Sequence, residues 1–239
     1  MPVIAALADV HTATGDTRCW EEILAPAARS DALLLGGDFI RSGDYGGLER
    51  FLRVVHALAL PTVAVLGNHD FSSERGIPVT TALVQAGVTL LTARAPVWRP
   101  PAECLRLTGL VVAGVPGQGG GFTDADETRH HRLAAVAHRQ SQALHAGLAG
   151  IAHARWRIVL THYAPCVATI AGVAPPRRPL AGSRALEEVV DHHRPEWAIH
   201  GHAHPGPAEG RTRGGVAVRN VALPLTGRVT LLPLCWPTR

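Results

Sequence analysis

The sequence predicts an α/β fold in which two stacked sheets are flanked by helices. Three observations carry that prediction. In the first half, short apolar runs alternate with helical patterns in β-α-β-α-β order. The second half adds strand-like runs with fewer helices between them. Several runs are apolar throughout, as in strands covered on both faces.

The first strand, 3–8, runs straight out of the N-terminus as Val-Ile-Ala-Ala-Leu-Ala, and a helix is expected over 17–29. Strand 32–35, helix 47–59, strand 62–66, helix 79–85 and strand 88–91 continue the alternation. Strands are then expected at 105–108 and 110–115. A long helix over 124–149 is bracketed by Thr123-x-x-Asp126 as a start signal and Gly150 as a stop. Strand 157–161, helix 183–193 and strands 197–200, 216–221 and 228–232 complete the order. No repeat and no long linker divides the chain, so its 239 residues read as one domain, 1–239, with the motifs over 2–206.

Composition removes several kinds of chemistry. All 23 basic residues are Arg, which excludes Schiff-base catalysis and a Lys-dependent P-loop. Cys19, Cys104, Cys166 and Cys235 are scattered without a C-x-x-C pair. That argues against a thiolate zinc site or disulfide scaffold and for a reducing compartment. The net charge of +4 suits an anionic substrate but is too small to demand nucleic acid or a membrane. The N-terminus has no basic segment of the signal-peptide kind. The longest apolar stretch, 54–66, contains His56 and Pro61 and falls far short of a roughly 20-residue membrane span. A cytoplasmic protein is expected.

The informative residues sit where strands are expected to end. Asp9 and His11 follow the first strand, Gly37-Asp38 the second, and Gly67-Asn68-His69-Asp70 the third. His162 and Gly201-His202-Ala203-His204 follow two later strands. Ligands gather outside the carboxyl ends of strands in open α/β sheets, so these segments should converge on one rim. Taken singly, each piece has an ordinary reading as a turn or cap. Together, Asp9, His11, Asp38, Asn68, His162, His202 and His204 offer oxygen and imidazole donors without thiolate. Such a set suits Mn²⁺, Fe or Zn²⁺ better than Mg²⁺. The number of ligands fits two ions roughly 3.5–4 Å apart that share a carboxylate and ionise a bridging water.

This ordered set resembles the calcineurin-like metallophosphoesterases, and the likeness spans Asp9 to His204. The resemblance implies a two-sheet β-sandwich flanked by helices and a hydrolase acting on phosphoesters with two divalent ions, Mn²⁺ first and Fe or Zn²⁺ as alternatives. By resemblance, Asp9, His11, Asp38 and His204 hold one ion, while Asp38, Asn68, His162 and His202 hold the other. His69 matches the histidine that contacts phosphate and protonates the leaving oxygen, and Asp70 matches the acid that orients it. The segment 162–165, the loop 117–121 and the tail 220–224 also resemble a small bacterial branch without a settled substrate. Arg41 departs from the usual uncharged or acidic residue after the Gly-Asp motif.

The substrate expected is a small phosphoester, nucleotides included, with a diester favoured over a monoester. A nuclease is the weaker reading, because aromatics are only 5% and no basic-aromatic stripe is present. A catalytically silent scaffold is disfavoured by the complete ligand set, and a metallo-β-lactamase by the position of its His cluster. The loops 114–121 and 174–179 read either as surface connections or as the rim of a substrate pocket. Arg177, Arg178 and Arg184 are candidates to grip a substrate phosphate, against plain surface charge. His131, His138 and His145 lie about 10.5 Å apart along a helix, too far to share an ion, and read as a solvated face. His192 and His193 read as surface residues at a helix end.

Overall fold

The computed structural model describes residues 1–41, 43–71 and 76–234. Cys235 lies outside the described residues, and Cys19, Cys104 and Cys166 are free. Two sheets face each other, as the sequence predicts. In the first, β1 (Val3–Leu7), β2 (Ala32–Leu35), β3 (Thr62–Ala64) and β4 (Thr89–Leu90) run parallel. In the second, β5 (Val97–Trp98) pairs antiparallel with β6 (Leu110–Gly114). Next to β6 come β7 (Trp156–Leu160) and β8 (Trp197–His200), both parallel to it. The far edge carries β9 (Glu209–Arg211) antiparallel to β10 (Ala217–Asn220), which is itself parallel to β8. β11 (Thr230–Pro233) returns to the first sheet, antiparallel to β1.

The apolar runs are continuous because each inner strand is covered twice. In β1, Ile4 and Ala6 pack between the sheets with Leu34, Val63, Val112, Ile158 and Leu160. Ala5 and Leu7 point the other way, into a core with Trp20, Leu24 and Phe51. In β6, Val111 and Ala113 meet Leu144, Leu148, Leu186 and Val190 of two outer helices. Burying one such Leu stabilises the fold by roughly 1.5–3 kcal/mol. The two sheets meet where β1 ends, through a hydrogen bond from the Ala8 N–H to the Val221 carbonyl at 3.0 Å. The carboxyl ends of both parallel sets therefore open on the same side.

Local differences from the sequence reading have physical causes. The strand expected at 105–108 is a single 3-10 turn, Leu105–Leu107, in which Leu105 stays 79% exposed. Its alternating pattern had no neighbouring strand to pair with. The helix expected at 17–29 is α-helical only over Trp20–Leu24, then tightens to a 3-10 turn at Ala25–Arg29, where Pro26 removes a backbone donor. The long helix is two, Asp124–Arg129 and His131–Ala149, divided at His130. The first piece buries none of its residues and is held by the Thr123–Asp126 capping box. Strands β5 and β9 are too short, and β9 too polar, to announce themselves. Among the described residues, no helix is long and apolar enough to cross a membrane.

Candidate metal centre

The structure brings Asp9, His11, Asp38, Asn68, His69, His162, His202 and His204 together at the carboxyl ends of β1, β2, β3, β7 and β8. The loops that carry them are laced to one another. Asp9 N–H donates to the Gly37 carbonyl at 2.9 Å, His11 N–H to the Asp38 carbonyl at 3.0 Å, and Gly201 N–H to the His162 carbonyl at 3.1 Å. Asp9, His11, Asp38 and His202 all have positive φ, at 58°, 43°, 56° and 65°. Each such non-glycine residue costs on the order of 1–3 kcal/mol, and this strain gathers at one place. Gly67 and Gly201 are needed for space, since a Cβ there would collide with the Asp38 and Asp9 carboxylates.

Ring and carboxylate atoms then converge. His204 Nε2 lies 2.9 Å from Asp9 Oδ1 and 3.4 Å from His11 Nε2. Asp38 Oδ2 lies 3.8 Å, 3.9 Å and 3.5 Å from the Nε2 atoms of His11, His69 and His162. His162 Nδ1 sits 2.8 Å from the Gly36 carbonyl, which only accepts, so the proton is on Nδ1. Nε2 of His162 faces Asn68 Oδ1 at 3.1 Å, Asp38 Oδ2 at 3.5 Å and His202 Nδ1 at 3.2 Å. Carboxylate and amide oxygens and imidazole nitrogens gathered in this way fit a cation.

Charge says the same. Asp9 and Asp38 are 0% and 1% exposed, and no arginine pairs with either among the described residues. Among side chains of fixed positive charge, then, none offsets these buried carboxylates, and the histidines around them are their only side-chain partners of opposite charge among the described residues. Burial by itself would raise the Asp9 pKa, but the hydrogen bond from His204, the charges of His162 and His204 and the His202 N–H together take it below the usual carboxylate value. The Asp9 carboxylate in turn raises the pKa of His204. Burial, then the neighbouring His162, drives His202 down to about 3, so it offers a neutral ring. His11 Nδ1 is buried without a hydrogen-bond partner among the described residues. The triplets Asp9–His11–His204 and Asp38–His162–His202 each have the spacing to hold a metal ion.

Asp70 is buried, and its described hydrogen bonds all come from backbone N–H groups. They are those of Asp38 at 2.9 Å, Phe39 at 2.8 Å, Gly67 at 2.8 Å and Ile40 at 3.4 Å. It thereby ties the Gly-Asp loop to the Gly-Asn-His-Asp loop. Burial, with a contribution from the Asp38 charge, pushes its carboxyl up to about 7. His200 stays outside the cluster: its ring bonds Thr169 Oγ1 at 2.8 Å and the Gly201 carbonyl at 2.7 Å.

A family model for calcineurin-like phosphoesterases matches residues 2–206. The chain belongs to that family. It is a metal-dependent phosphoesterase, since the family works with divalent metals. The fold resembles that of phosphopantetheinyl hydrolase from Mycobacterium tuberculosis, with a TM-score of 0.60 and 16% identity over 92% of this chain and 89% of that one. It also resembles a Staphylococcus aureus protein provisionally assigned as a 5′-nucleotidase, with a TM-score of 0.53 and 15% identity over 91% of this chain but 48% of that one. No curated protein matches the sequence.

Two clefts adjoin this cluster. One, of about 760 Å³, is lined by Gly172, Val173, Arg177 and Leu180 and reaches His202 and His204. The other, of about 420 Å³, reaches Asn68 and is lined by Phe71, Gly117, Gln118, Gln140 and Tyr163. Both loops with ambiguous sequence readings thus form pocket rim. Gln140 accepts the Gly117 N–H at 2.7 Å, and Tyr163 packs on His202 with ring centroids 4.4 Å apart. Phe71, 59% exposed, was missed in the sequence although it directly follows the Gly-Asn-His-Asp motif. The three candidate arginines separate cleanly. Arg184 is tied to Asp124 and Glu127, and Arg178 to the Val173 and Ala171 carbonyls. Arg177 is exposed, has no hydrogen-bond or ion-pair partner for its side chain among the described residues, and lines the larger cleft.

Proposed function

We propose that the chain is a phosphodiesterase with a dinuclear metal centre. In this reading Asp9, His11, Asp38 and His204 surround one ion, and Asp38, Asn68, His162 and His202 the other. The observation that carries it is the convergence of imidazole nitrogens on Asp38 Oδ2, which has the Nε2 atoms of His11, His69 and His162 within 3.9 Å. The mixed oxygen and imidazole set favours Mn²⁺, with Fe or Zn²⁺ as alternatives. When bound, the ions supply positive charge to a phosphoryl group and lower the pKa of water toward neutrality.

The chain's own residues do the rest. His69 stands at the edge of the cluster with its side chain 34% exposed, where it can reach a substrate and donate a proton to the leaving oxygen. Asp70 is a positioning residue, holding the Asp38 and Phe39 N–H groups so that the Asp38 carboxylate faces the centre. The diester assignment is supported by the two clefts, because a diester carries a substituent for each. Arg177 binds an anionic or polar group on the substituent in the larger cleft. Small nucleotides have the required dimensions and charge. Free Cys19, Cys104 and Cys166 support a cytoplasmic setting, with the whole chain acting as one domain.

The test is hydrolysis of bis-p-nitrophenyl phosphate against p-nitrophenyl phosphate by chelator-stripped protein reconstituted with Mn²⁺. Activity that returns with metal and prefers the diester is expected. A preference for the monoester overturns the diester assignment, and full activity in the stripped protein overturns the metal assignment.

A further inference from the structure

A second group of imidazoles forms on two helices that pack on the sheet carrying β7 and β8. His145 lies one turn before the end of helix His131–Ala149, and His192 and His193 close helix Arg184–His193. The two helices pack against each other. His145 Nδ1 lies 3.0 Å from His193 Nε2. The ring centroids are 5.2 Å apart for His145 and His192, 4.7 Å for His145 and His193, and 4.7 Å for His192 and His193. One ring nitrogen from each can be chosen so that all three lie within 4.8 Å of one another. No carboxylate belongs to the group.

Two further features favour a cation there. Helix Arg184–His193 ends at His193, and a helix C-terminus carries partial negative charge. Burial, the two neighbouring histidines and Arg157 hold His193 down to about 4, so its ring is a neutral donor at pH 7. Arg157 is the one cation facing the group in that balance, and its Nη2 is engaged with the Arg194 carbonyl at 3.1 Å.

We propose that His145, His192 and His193 bind one Zn²⁺ that cross-links the two helices. A set of imidazoles alone selects Zn²⁺, Ni²⁺ or Cu²⁺ over Mn²⁺ and Mg²⁺, whereas the strand-end centre mixes oxygen with nitrogen. The site is separate from that centre and needs no assumption about its reaction. A metal bound only by the folded chain stabilises it, so its signature is thermal as well as stoichiometric.

The test compares the full chain with its His145→Gln/His193→Gln double variant, both stripped and then reloaded with Mn²⁺. Zn²⁺ is titrated in at pH 7.5 while bound zinc and Tm are followed. Exchange at the strand-end centre cancels in the difference. The wild type should bind one more zinc equivalent than the variant. Its Tm should rise by roughly 5 °C more at 100-fold excess over Kd. Mn²⁺-dependent hydrolysis should be the same in both. Equal zinc stoichiometry in the two proteins overturns the proposal. Should the double variant fold poorly, histidine ring NMR of the wild type decides: zinc-dependent shifts of His145, His192 and His193 together support the site, and unshifted rings overturn it.

Discussion

The strand-end centre and the His145–His192–His193 group both assemble imidazoles from distant segments, but only the first combines them with buried carboxylates and strained backbone. At the centre, Asp9 and Asp38 are sealed from water and four non-glycine residues have positive φ. At the helix ends, His145 and His192 are exposed, and the groups sit in ordinary helical backbone up to the left-handed Arg194. The difference teaches how to separate a reactive site from a binding one. Strain and buried charge are costly, and a fold keeps them where positioning matters. The three imidazoles of the second group sit on helical backbone without such strain.

The contrast can be broken most directly at Asp38. Asp38→Asn preserves shape but removes the shared charge, and kcat/KM should fall on the order of 10⁴-fold, with metal content falling too. Activity within tenfold of wild type, with metals retained, would erase the distinction between the two groups. His69→Ala comes next, with an expected loss of about 10³-fold in turnover. Its metal content should stay near wild type; loss of both metals would make His69 a ligand instead of an acid.

Smaller changes sharpen the comparison. Arg177→Ala should raise KM by about tenfold for substrates with a charged substituent and leave kcat nearly unchanged. An equal effect on a neutral diester would remove Arg177 from substrate binding. The smallest effect belongs to His193. Its folded pKa of about 4 lies below the ordinary histidine value of 6.5. Between those values the unfolded chain takes up a proton that the folded chain refuses. Stability of the metal-free protein should therefore fall as pH drops from 6.5 towards 4. His193→Gln should flatten part of that slope in urea titrations, and an unchanged slope would show that burial of this ring does not matter to the fold.

The legible parts of the molecule were those with local causes. Val3-Ile-Ala-Ala-Leu reads as a doubly covered strand because both of its faces meet apolar layers. Thr123 reads as a helix start because its side chain caps the Asp126 N–H at 3.1 Å. Asp9, Asp38, Asn68, His162, His202 and His204 read as one group because each follows such a strand. The 105–108 run misled because alternation needs a partner strand to become β-structure, and none lies beside it. Spacing along one helix likewise placed His145 out of reach of His131 and His138, which is correct. It was silent about His192 and His193, which arrive on another helix.

By itself, then, the amino-acid order determined which donor atoms stand at strand ends and that a parallel α/β framework would carry them to one side, since both follow from short-range pattern. Only the tertiary structure decided that Arg177 stays free while Arg178 and Arg184 are tied up, that Asp70 anchors backbone N–H groups, and that three histidines meet across two helices. Those outcomes depend on which surfaces pack together. Packing is settled by contacts between residues far apart in the chain, and a local pattern does not contain them.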